Sequence, residues 1–123
     1  MILKRNIIKY VRDYIKKDYK LRDKCYICST AENLELHHIY AISQLFSIWC
    51  EKNNIQEITT VEQITELRVQ FYKDEYEKLN NSNLYTLCKT HHEKLHNIYG
   101  QKYSNHLVPK ILNWMLIQKG KHD

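Results

Sequence analysis

Glycine and proline are scarce in this chain, with two and one in 123 residues, and no low-complexity segment or internal repeat is present. Long apolar runs are absent too, which excludes a membrane-spanning helix. The first residues interleave Ile with Lys and Arg, so there is no signal-peptide core. Together these absences predict a cytoplasmic protein with no membrane partner. No βαβ pattern surrounds the Cys25-Tyr-Ile-Cys28 pair, so a thioredoxin-type redox role does not fit. Four cysteines would suit two disulfides in a secreted chain. In a cytosolic chain, Cys-x-x-Cys followed by a later Cys-x-x-His reads better as zinc binding.

At 15.0 kDa, 43% hydrophobic and 27% charged, the chain fits one soluble domain with one modest core. A structural metal would help a domain of this size. The formal charge of +5 and the pI near 9.0 put nucleic acid first among partners. Abundant Ile, Lys, Asn and Tyr suggest an A/T-rich genome, such as a phage's.

Along the chain, residues 2 to 20 have Ile7, Ile8, Val11, Tyr14 and Ile15 at helical spacing. Lys4, Arg5, Lys9, Arg12, Lys16, Lys17 and Lys20 load the rest of that surface. It reads either as a solvated face or as a phosphate-contacting one. Leu34 to His37 alternate like a half-buried strand, which sends His37 and His38 to opposite faces. Residues 41 to 52 form an amphipathic helix with Ile42, Leu45, Phe46, Trp49 and Cys50 inward. Cys50 is therefore a core residue and not a ligand. A second helix runs from about Val61 to Leu79, with Thr60 and Gln63 as a capping box. Leu84 to Cys88 reads as a strand, and a helix follows from Lys89 to near Gly100. Pro109 suits the first turn of a last helix, and the tail from Lys119 to Asp123 is expected to fray.

Cys25, Cys28, Cys88 and His91 make a closed four-ligand set, the type that holds structural zinc. His92 and His96, four apart on the helix, share a face, while His91 is turned about 100° away. His37, His92 and His96 therefore make a second, open set. It leaves room for water and substrate, as catalytic metal sites do. His38 adjoins it without being needed as a ligand, and a histidine is the natural general base for activating water.

Glu35-Leu-His37-His38, then Asn83-Leu-Tyr-Thr-Leu-Cys88-Lys-Thr-His91-His92-Glu-Lys-Leu-His96, resembles the HNH endonuclease family with its ββα-metal (His-Me finger) motif. The match covers Cys25 to Ile39 and Asn83 to His96. The gap between His38 and Asn83 is filled by the two helices. The resemblance implies His37 as metal ligand, His38 as general base and Asn83 as the residue that pins the hairpin loop and orients that base. It implies His92 as a ligand and His96 as the third ligand of the nuclease-toxin branch. Cys25, Cys28, Cys88 and His91 match the zinc knuckle of one subset, and Glu35 would support a ligand from outside.

The expected fold is α+β: a ββα-metal core with a structural zinc knuckle, flanked by helices and a helical insertion. The expected layout is a single HNH nuclease domain over 1–123. Within it lie a basic helix (1–24), a metal-binding core (25–40 and 83–100), a helical insertion (41–82) and a C-terminal helix (105–119). The resemblance implies hydrolysis of DNA phosphodiester bonds, by nicking or by double-strand cleavage through a homodimer or protein partner. The ends would be 5′-phosphate and 3′-hydroxyl. The cofactors would be structural zinc and a catalytic divalent ion, Mg, Mn, Ni or Zn, with all-imidazole ligation favouring the softer end. The setting would be a bacterial or phage-infected cell, as a homing, packaging-linked or restriction-type nuclease. The alternatives are a zinc-stabilised DNA-binding module without catalysis and a nuclease toxin.

Overall fold

A computed structural model describes residues 1–122. The chain divides into two compact units, one of residues 1–19 with 42–81 and one of residues 20–41 with 82–123.

The first unit is helical. Helix α1 spans Ile7–Lys16, α2 spans Ile42–Lys52, α3 spans Val61–Asp74 and α4 spans Tyr76–Leu79. The basic helix expected over 1–24 is shorter than its periodicity suggested. The Asn6 side chain accepts from the Ile8 N–H and starts it late. Upstream, Ile2 forms a β-bridge with Thr60, and the Val61 N–H donates to the Met1 carbonyl. Val11 and Ile15 of α1 are fully buried, and α1 packs on α3. Phe46, Trp49 and Phe71 form a ring cluster with centroids 5.1 to 5.9 Å apart. The capping box is present: Thr60 accepts from the Gln63 N–H, and the Gln63 side chain accepts from the Thr60 N–H. The helix expected from Val61 to Leu79 is interrupted at Glu75, whose φ and ψ are −107° and 20°. Cys50 is half-buried.

The second unit holds strands β1 (Leu34–His38) and β2 (Leu84–Cys88), then α5 (Lys89–Tyr99) and α6 (Val108–Gly120). The strands pair antiparallel, with Leu34 opposite Cys88, His37 opposite Tyr85 and His38 opposite Leu84. A lone two-stranded ribbon is marginal in water. Here it gains its stability from a core of Ile27, Ile39, Leu87, Leu95, Val108, Ile111 and Met115. Gly100, at φ 95°, ends α5 in a backbone region that favours glycine. Before α6 the chain makes a 3-10 turn at Asn105–Leu107, so the helix expected from 105 starts at Val108. The tail is also more ordered than expected. Helix α6 runs to Gly120, and Lys119 donates to the Tyr26 carbonyl at 2.9 Å; Asp123 lies outside the described residues. No helix among the described residues is long and apolar enough to cross a membrane.

Candidate metal centres

Both candidate centres lie in the second unit, and α5 supplies ligands to each. Cys25, Cys28, Cys88 and His91 bring one ligand atom each within 4.8 Å of one another. The Cys25–Cys28 turn is closed by the Ser29 N–H donating to the Cys25 carbonyl at 3.0 Å, with Ser29 at φ 63°. Cys88 is the residue before α5, and His91 lies one turn on, so its Nδ1 comes back to within 3.3 Å of the Cys88 sulfur. Burial opposes ionisation of the Cys25 thiol. Backbone N–H groups of Cys28, Cys88 and Ile27 outweigh it and lower its pKa. Burial, then His122 and Lys94, lowers the pKa of His91, which favours the neutral imidazole a metal needs.

The spacing can be tested against zinc. Two thiolates at about 2.3 Å from one tetrahedral ion stand roughly 3.8 Å apart. The Cys28 and Cys88 sulfurs are 3.8 Å apart. The donor chemistry, three thiols and one imidazole, suits a metal such as zinc.

His37, His92 and His96 form the second group. His37 Nδ1 and His96 Nε2 each lie 3.1 Å from His92 Nε2. The outward nitrogens determine where the protons are. His92 Nδ1–H donates to Glu35 Oε1 at 2.9 Å, and His96 Nδ1–H donates to the Gly100 carbonyl at 3.0 Å. Tyr103 donates its hydroxyl hydrogen to the Ile39 carbonyl at 2.7 Å, so its oxygen accepts from His37 Nε2–H at 2.8 Å. Each ring thus has its proton on the outer nitrogen, and three lone pairs face one point. Lone pairs cannot hydrogen-bond to one another, so the arrangement suits a cation between them. Imidazole nitrogens at about 2.1 Å from a single ion would be roughly 3.0 to 3.4 Å apart, which brackets the observed spacing. Burial first, then His92, His96 and His38, pushes the His37 pKa down to about 3, keeping it neutral.

His38 is half-buried, and its Nδ1–H donates to the Tyr40 carbonyl, which leaves Nε2 as the basic nitrogen. The Asn83 carbonyl accepts from the Ile39 N–H at 3.1 Å, next along the chain from His38. The structure therefore brings together the two ligand sets read from the sequence and keeps Cys50 out of both. Glu35 meets His92 as expected. Tyr103 and the Gly100 carbonyl had no sequence signal. Tyr103 lies in an irregular segment with no periodicity, and a backbone carbonyl leaves no mark on residue identity.

No solved structure matches the chain. The family model for phage T5 nicking endonucleases, described as the nicking endonuclease family, matches residues 2–123. With nearly the whole length matched, and both ligand clusters inside the match, the chain belongs to the nicking endonuclease family.

Proposed function

We propose that this protein is a metal-dependent HNH-type endonuclease that nicks DNA, with His38 as general base and His37, His92 and His96 as the ligands of its catalytic ion. The observation that carries this reading is the convergence of three imidazole lone pairs, each fixed by an outer partner. A purely structural cluster has no need of that arrangement. The order β1, β2, α5, with one ligand on the first strand and two on the helix, suits a ββα-metal core.

A divalent ion held by these residues would supply Lewis-acid polarisation of the scissile phosphate and charge neutralisation at the leaving 3′ oxygen. The chain's own groups do the rest. Tyr103, Glu35 and the Gly100 carbonyl hold the three rings in the ligating tautomer. His38 Nε2 takes the proton of the attacking water, while its Nδ1–H stays on the Tyr40 carbonyl and steadies the imidazolium that forms. That Nε2 is buried in this structure, so substrate binding must open its path to water. Asn83 anchors the backbone beside the base through Ile39. Cys25, Cys28, Cys88 and His91 would hold a structural zinc that ties the turn ahead of β1 to the end of β2 and to α5. One active centre cuts one strand, so nicking needs neither a dimer nor a partner.

The test is plasmid nicking by purified, zinc-quantified protein supplied in turn with Mg, Mn, Ni or Zn, beside His38→Ala. The expected result is conversion of supercoiled to open-circular plasmid. His38→Ala should slow it by roughly 10²- to 10⁴-fold while one tightly bound zinc remains. Plasmid binding with no cutting under any ion would replace this reading with a zinc-stabilised DNA-binding module. Full activity in His38→Ala would remove His38 from the mechanism.

A further inference from the structure

A pocket of about 210 Å³ opens along β2 in the same unit as the histidines, lined in part by Arg22, Lys24, Tyr26, Ser82 and Tyr85. The segment carrying the first three is strapped to the strand. The Arg22 N–H donates to the Thr86 hydroxyl at 2.9 Å, and the Tyr26 N–H to the Thr86 carbonyl at 2.8 Å. The Tyr26 and Tyr85 rings meet edge to face, with centroids 5.0 Å apart. Both are half-buried, and both line the pocket. Lys119 fixes Tyr26, with its Nζ 4.6 Å from the ring centroid and bonded to the Tyr26 carbonyl. Arg22 and Lys24 are exposed, and neither forms an ion pair among the described residues.

The chemistry and the position point the same way. A pocket this size is below that of a drug-sized ligand, so it suits one small planar group. Aromatic faces beside unpaired cations are how proteins hold a base and its phosphate. Tyr85 sits directly opposite His37 in the ladder. Cross-strand partners share a face of the sheet, with Cβ atoms about 5 Å apart. Through Tyr85 the pocket reaches the strand position beside His37, while Leu84 and Thr86 line it from the strand's other face.

We propose that this pocket is a nucleotide subsite for the cut strand, taking one base against Tyr26 and Tyr85 and its phosphate on Arg22 and Lys24, close to the nick. This rests on the nuclease reading above.

The test uses the zinc-loaded full chain without added catalytic ion. DNA duplexes with 5-iodouracil at successive positions are irradiated, and the crosslinked residue is mapped by mass spectrometry. The expected crosslink is to Tyr26 or Tyr85 from positions next to the nick. Tyr26→Ala should weaken binding by roughly tenfold, and Tyr26→Phe, which keeps the ring, should restore it. If Tyr26→Ala loses its zinc, the surface pair Arg22→Ala and Lys24→Ala gives the readout instead. There the log–log salt slope should fall by about 0.9 for each phosphate no longer neutralised. Crosslinks confined to other residues, or unchanged binding in these variants, overturn the proposal. Crosslinking needs no cleavage, so a chain that crosslinks through Tyr26 but never nicks keeps the subsite and loses the nuclease reading. A chain that nicks without such a crosslink does the reverse.

Discussion

Replacing Tyr103 with phenylalanine removes the oxygen that accepts from His37 and leaves the ring space filled. Without that acceptor the His37 ring is free to take the other tautomer, so metal affinity at the histidine cluster should fall by roughly 10- to 100-fold. Titration calorimetry with Ni or Mn measures this, and unchanged affinity would mean that Tyr103 does not set the tautomer. Glu35→Ala should act the same way through His92, since it removes the acceptor for His92 Nδ1–H. At this scale the two candidate ligand clusters were legible because helical geometry and Cys-x-x-Cys spacing limit where each donor can point. Tyr103 was not. Its role depends on an irregular segment folding back onto β1, and no local pattern encodes that.

Helix α5 contributes neighbouring residues to two candidate centres: His91 to the cysteine set and His92 to the histidine set. The turn of about 100° between adjacent residues makes this division possible, and the sequence shows it directly. Strand β2 and the capping box of α3 were equally readable, since both rest on short-range chemistry. Thr60→Ala removes that box's side-chain acceptor and should cost about 1 kcal/mol, seen as a lower urea midpoint with unchanged slope. A variant with unchanged midpoint would show that the cap adds nothing. The break at Glu75 and the late start of α1 were hidden, because the apolar period runs on through both places. In the second case a bridge from Ile2 to Thr60, far apart in sequence, wins over helix propensity.

Over the whole chain, charge is divided unequally. The helical unit carries ten Lys and Arg against nine Asp and Glu, and the unit with the histidines carries nine against five. The positive excess thus accompanies the candidate catalytic centre, although the basic N-terminal helix draws the eye in the sequence. Lys9 and Lys16 are nonetheless exposed on α1. If they contact phosphates, replacing both with alanine lowers the salt slope of DNA binding by up to about 1.8. An unchanged slope would make that face merely solvated. All the zinc-set residues lie in one unit, so chelation should strip hydrogen-exchange protection from β1, β2 and α5 while α1 and α3 keep theirs. Equal loss in both sets would refute that independence. The long separation between β1 and α5 has a further consequence, in time. His37 meets His92 only across 55 positions of sequence. A ribosome that has made the first strand and everything up to β2 has made a chain with one of the three imidazoles. On the proposed reading, nuclease chemistry is withheld from the growing polypeptide until His96, and the Tyr103 that holds His37, have both been made.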